Sequence, residues 1–245
     1  MEPQFYFWEP LMKKHKIELS LVEDYYETTK TPFEDIEKRA REHASELQKK
    51  IHVNENTDLS DLAEWVSEQE VELYENLLRM KSNHLLMTIS LLCQTWEQQL
   101  IKFTIQEMEH SFTFTQKNMD FSEVQLLFKL HGVDIEKTNS WTKIKEMRWL
   151  VNTIKHGEGI SSVKLRKIRP DFFYSNISDF LDDSIDILEL NGAVLLDGYT
   201  LKVQEEDFYT YLNSVINFWD EMPERAFSDT DIIINEFGKK NKPRH

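Results

Sequence analysis

The chain has 245 residues, 40% hydrophobic, 12% aromatic and 30% charged, so it is long enough and apolar enough to bury a sizeable core. Its formal net charge of −15 repels nucleic acid and anionic membrane at long range, so a phosphate-bearing partner must meet a local basic patch. The single cysteine, Cys93, excludes an internal disulfide and a thiolate zinc site, and only six Gly and six Pro favour long regular elements over a loop-rich sandwich.

The N-terminus carries Glu2 and Glu9 around an aromatic run, Phe5, Tyr6, Phe7 and Trp8, and lacks the basic region of a secretory signal. A cytoplasmic protein is expected. The aromatic run suits docking onto the chain's own core, or a partner anchor. Residues 1–56 read as a helical appendage, with an amphipathic helix over 33–50. After a break at 54–58, Thr57 or Asp58 is placed to cap the next helix, because a short side-chain oxygen satisfies the free amides of a first turn. The main domain is expected over 57–237. From Leu59 to about His110 helical spacing dominates: Leu73, Leu77, Met80, His84, Met87 and Leu91 follow steps of three and four. Lys81, Ser82 and Asn83 mark a kink or a short break. The apolar run 85–93 is too short to span a bilayer, and Cys93 within it reads as a buried, inert thiol. Trp96 and Leu100 extend this stretch into the centre of the expected core.

Residues 121–131 read as a helix stopped by Gly132, since glycine tolerates the left-handed backbone. Thr138, Asn139 and Ser140 then cap a helix from Trp141 to His156, and Gly157 stops it. Residues 161–169, rich in Ser, Lys and Arg, read as a connection. Residues 185–190 have strand character, and Asn191-Gly192 and Asp197-Gly198 are tight-turn pairs, so a small β-hairpin or meander is expected near residues 185–203. Helix returns over 205–222, with Phe208, Leu212, Val215, Ile216 and Trp219 on one side. The basic tail 238–245 is expected to be disordered. The fold class is mainly α.

The helix ending at His156 carries the most suggestive chemistry. At about 100° per residue, Ile144, Met147, Leu150, Val151 and Ile154 form an apolar arc, and Arg148, Asn152 and His156 form a row beside it, bordered by Lys155. His is an acid or base near neutral pH, Arg stabilises charge developing on phosphoryl oxygens, and Asn positions a hydroxyl or orients the His. A plainer reading stands beside this one. His156 suits a helix C-terminus through the macrodipole alone, Asn152 suits ordinary surface, and Arg148 suits an ion pair with Glu146 or another acid.

Asn152-Thr-Ile-Lys-His156-Gly-Glu-Gly159 at a helix end resembles the signature of HEPN-domain proteins, and the resemblance covers about residues 75–222. It implies a HEPN-like helical bundle. It also implies a metal-independent endoribonuclease, or a ribonuclease-derived effector, in prokaryotic antiphage defence or a toxin–antitoxin system, working on RNA as a homodimer. His156 would be the acid/base residue and Asn152 the motif Asn. Val151 stands where the family places an Arg, and Arg148, one turn earlier, is the substitute on the same face. Lys155, Lys164, Arg166, Lys167 and Arg169 form a basic cluster for an RNA backbone, or a solvated loop. The alternative reading is a catalytically inactive HEPN-fold protein serving a protein partner as an interaction or regulatory subunit. No cofactor and no metal are expected: the eight His show no HExxH spacing, and P-loop, dinucleotide and nucleophile-elbow patterns are absent.

Overall fold

The structure, a computed structural model, describes residues 2–51, 58–112, 119–173, 186–195 and 200–240. The elements in chain order are β1 (Gln4–Tyr6), α1 (Glu9–Lys30), α2 (Ile36–Lys50), α3 (Leu59–Glu109), α4 (Phe121–Leu130), α5 (Trp141–His156), α6 (Ile160–Ile168), α7 (Ile187–Asn191), α8 (Glu205–Asp220), β2 (Arg225–Phe227) and α9 (Thr230–Lys240). The chain is mainly α, with one small antiparallel two-stranded sheet in which Phe5 faces Ala226.

Four local readings of the sequence change. The Lys81-Ser-Asn stretch does not interrupt α3, which runs 51 residues: none of the three is Gly or Pro, and nothing there removes a backbone donor. Residues 160–168 are the helix α6, because Ser162 and Leu165 are buried at helical spacing and the Lys and Arg between them are good helix formers. The strand expected at 185–190 gives way to helix over its described part. Asp186 accepts the Glu189 N–H at 3.1 Å as an N-cap, and Gly192 (φ 71°) donates back to the Leu188 carbonyl at 2.7 Å. The Asn191-Gly192 pair is thus a helix stop, while Asp197-Gly198 lies outside the described residues. The sheet forms instead from β1 and β2, near the two ends of the chain. Of the tail, residues 238–240 belong to α9 and 241–245 lie outside the described residues.

Two compact units share the chain. The first comprises Met1–Glu23, Ile89–Val151 and Gln204–His245. Its core is aromatic. Phe5 and Phe7 are buried, Phe5 packing edge-on to Phe103 at 5.6 Å and face-to-face with His131 at 3.8 Å, so these two rings of the N-terminal aromatic run dock onto the chain's own core, while Trp8 is exposed. Trp96 meets Phe218 at 5.3 Å, and Val215 and Trp219 of α8 complete the layer. Two caps order the helices here. Asp120 and Glu123 form a reciprocal capping box on α4, and Gly132 (φ 80°) ends it. The Glu221 carboxylate caps α5, accepting the Asn139 and Ser140 N–H groups at 2.5 and 3.0 Å and the Ser140 hydroxyl.

The second unit comprises Asp24–Thr88 and Asn152–Val203. Asp58, as expected, caps the start of α3 by accepting the Ser60 N–H at 2.8 Å. Tyr26 stacks on His84 at 5.3 Å, and Thr29 Oγ1 lies 2.7 Å from the same ring. Leu165, Phe172, Phe173, Leu188 and Leu201 are buried, and the Lys202 N–H bonds to the Phe172 carbonyl at 2.8 Å.

Candidate functional site at the end of helix α5

The last turn of α5 is set by its stop. The Gly157 N–H bonds to the Thr153 carbonyl at 2.8 Å and its φ is 68°, the left-handed conformation that ends a helix. A side chain at Gly157 would overlap the Gly192 carbonyl oxygen, and the Glu158 N–H donates to that oxygen at 3.3 Å. Close backbone approach is therefore the purpose of this glycine, and what it approaches is the chain itself.

His156 and Lys155 are exposed on this turn, and Asn152, one turn earlier, is half-buried. Among the described residues, the side chains of these three make no hydrogen bond or ion pair. Asn152, Lys155 and His156 thus stand together in the second unit as one titratable group, one amide and one cation open to a ligand. The Asn152 amide can hold a hydroxyl one turn away from the His156 ring.

Arg148 is placed differently. It lies in the first unit, where its Nε donates to Glu97 Oε1 at 2.6 Å and its guanidinium sits 3.5 Å from the Phe121 ring centroid. Glu97, rather than Glu146, is its acid. Glu146 is buried and receives Lys143 at 2.9 Å and the Tyr211 hydroxyl at 2.9 Å. Arg148 is therefore neutralised and stacked.

Exposure differs across the basic cluster. Lys155, Lys164 and Lys167 are exposed, the latter two on α6 with the exposed apolar residues Ile160, Val163 and Ile168. Arg166 and Arg169 are engaged by acids. Arg166 donates to Asp186 at 2.6 Å and to Glu158 at 3.2 and 2.8 Å, and Arg169 grips Asp171 at 2.7 Å while stacking 3.7 Å from the Phe172 ring centroid. The hydrogen bond from Arg166 holds the Glu158 carboxyl below the ordinary range, and the same bond raises the Arg166 guanidinium pKa. Arg166 is thus a staple joining the Gly157–Gly159 turn, α6 and the cap of α7. Its role escaped the sequence reading because Asp186 and Glu158 were not recognisable as its partners until the backbone was placed.

Among the described residues no group of three or more His, Cys, Asp or Glu is arranged to hold a metal, and no helix is long and apolar enough to cross a membrane. The chain matches no family model, no curated protein and no solved structure.

Proposed function

We propose that this chain is a HEPN-like, ribonuclease-derived effector of a prokaryotic defence or toxin–antitoxin system that acts on RNA in the cytoplasm, as a homodimer, through the C-terminal end of α5. The observation that supports this reading is the exposed His156 with Asn152 one turn before it and Lys155 beside it, all in one unit. His156 accepts the proton of a ribose 2′-hydroxyl as that oxygen attacks the neighbouring phosphorus. The P–O5′ bond breaks, the leaving 5′-oxygen takes a proton from the second copy's imidazole, and no metal enters. Asn152 orients the hydroxyl, and Lys155, with Lys164 and Lys167, offsets the phosphate charge.

One observation favours a second reading, a catalytically inactive HEPN-fold interaction or regulatory subunit. Arg148 is committed to Glu97 and Phe121, and Arg166 and Arg169 to acids, so the strongest stabilisers of phosphoryl charge are already spoken for. RNA cleavage in excess chelator separates the two. Cleavage by the wild type that is lost in His156→Ala, with unchanged thermal unfolding, is the result expected for the effector. No cleavage of mixed RNA by the wild type at any concentration up to that of the folded dimer leaves the interaction subunit as the function.

A further inference from the structure

The first unit contains a groove of about 300 Å³ whose walls are Lys14, His15 and Glu18 of α1 and Gln98, Gln99 and Lys102 of α3. One wall is rigid. Gln99 Nε2 donates to the His15 carbonyl and to Glu18 Oε2, both at 3.0 Å, and its Oε1 accepts the Trp219 indole N–H at 3.1 Å, so every polar atom of that amide is committed. The His15 ring stacks on Trp219 at 4.6 Å with 25° between planes, and the residue is 5% exposed. Trp219 therefore holds the plane of the imidazole, and Gln99 holds the His15 backbone.

The imidazole is not satisfied. Both His15 ring nitrogens are buried and have no hydrogen-bond partner among the described residues, and Glu18 Oε2, at 3.6 Å from Nδ1, is beyond a hydrogen bond. Leaving a buried polar ring edge without a partner is costly, and native proteins do so where a ligand or water completes the site. The surroundings specify the ligand's charge. Lys102 is exposed and makes no ion pair among the described residues, and Lys14 reaches Glu18 only at 3.8 Å. The charged groups facing His15 are Lys14 and Glu18 from its own helix and Lys102 from α3, a local excess of cation in a chain of net charge −15.

We infer that this groove binds a small oxyanion, a phosphate or a carboxylate, which accepts hydrogen bonds from His15, Lys14 and Lys102 while Glu18 receives the second His15 ring nitrogen. The site belongs to the first unit and shares no residue with the α5 end, so it stands or falls independently of the nuclease reading. Burial, ahead of the Glu18 interaction that opposes it, depresses the His15 pKa. An anion at the ring edge raises it again.

The test follows the His15 ring by NMR in the full chain during titration with inorganic phosphate and, separately, with acetate, at constant ionic strength set with chloride. Saturable movement of the His15 ring signals, with an upward shift of their titration midpoint, is expected in at least one arm, and the arm that responds names the oxyanion. Lys102→Gln, at an exposed position where folding is unaffected, should weaken binding about tenfold, and Lys102→Arg should restore it. Ring signals unmoved in both arms, or moved equally in Lys102→Gln and wild type, overturn the proposal.

Discussion

Replacing Gly157 by Ala tests the account of the α5 stop, and Gly132→Ala supplies its control. Both glycines are left-handed, at φ 68° and 80°, and both follow a helix. An Ala held in that conformation costs about 1–2 kcal/mol, partly offset by about 0.4–1 kcal/mol from the stiffer unfolded chain. At Gly132 a Cβ meets nothing within 4 Å, so this balance is the whole effect, about 1 kcal/mol. At Gly157 the Cβ also overlaps the Gly192 carbonyl oxygen, which is backbone and cannot rotate away. Forcing these two turns apart adds an overpacking penalty of about 1–3 kcal/mol and brings the total to roughly 2–4 kcal/mol. The measurement is urea unfolding followed by circular dichroism, comparing midpoints at unchanged slope. Equal losses in the two variants would refute the claim that Gly157 is there for the approach to Gly192. As a consequence of the same geometry, the turn carrying Lys155 and His156 should lose amide-exchange protection in Gly157→Ala and keep it in Gly132→Ala.

A double-mutant cycle of Arg148→Met and Glu97→Gln should give a coupling of about 1–2 kcal/mol, since the pair is three-quarters buried and stacked; a coupling near zero would return Arg148 to the set of cations available to a ligand. Burial holds the His131 pKa below 6.5, ahead of the opposing hydrogen bond to the Leu127 carbonyl. The unfolded chain therefore binds the proton more readily. Stability is fully present above pH 6.5 and is lost as pH falls from there toward the lower folded value. His131→Phe, which keeps a ring against Phe5, should flatten part of that slope between pH 7 and 5, and an unchanged slope would assign the loss elsewhere, to His15 and His84 first.

Where one residue and its neighbours in sequence decide the outcome, the chain was legible. The mainly helical class, the stops at Gly132 and Gly157 and the Asp58 cap all follow from spacing, side-chain oxygens and positive φ. Two of the misreadings share a physical origin, a short local pattern that serves two ends. Asn191-Gly192 offers positive φ to a hairpin or to a helix stop, and the choice falls to Asp186, whose carboxylate caps the turn from the other side while also holding Arg166. Lys and Arg at 164–169 read equally as a basic loop and as a helix surface. The buried Ser162 and Leu165 decide for helix, and the acids that engage Arg166 and Arg169 arrive from as far as 20 residues away. At the candidate site, the sequence placed Asn152, Lys155 and His156 on one helix end, but the engagement of Arg148 depended on Glu97, 51 residues distant.

The pairing of β1 with β2 bears on how the protein comes off the ribosome. Gln4 lies opposite Phe227, so β1 has no partner strand until Phe227 has been made. At about 5–20 residues per second, Phe5 and Phe7 wait on the order of 10–45 s with their rings uncovered by that strand. Contacts of such high sequence separation also slow folding once synthesis ends. Until Phe227 has been made, the backbone of residues 4–6 has no ladder partner, and Phe5 is held by the rings of Phe103, Phe128 and His131, which are made before β2.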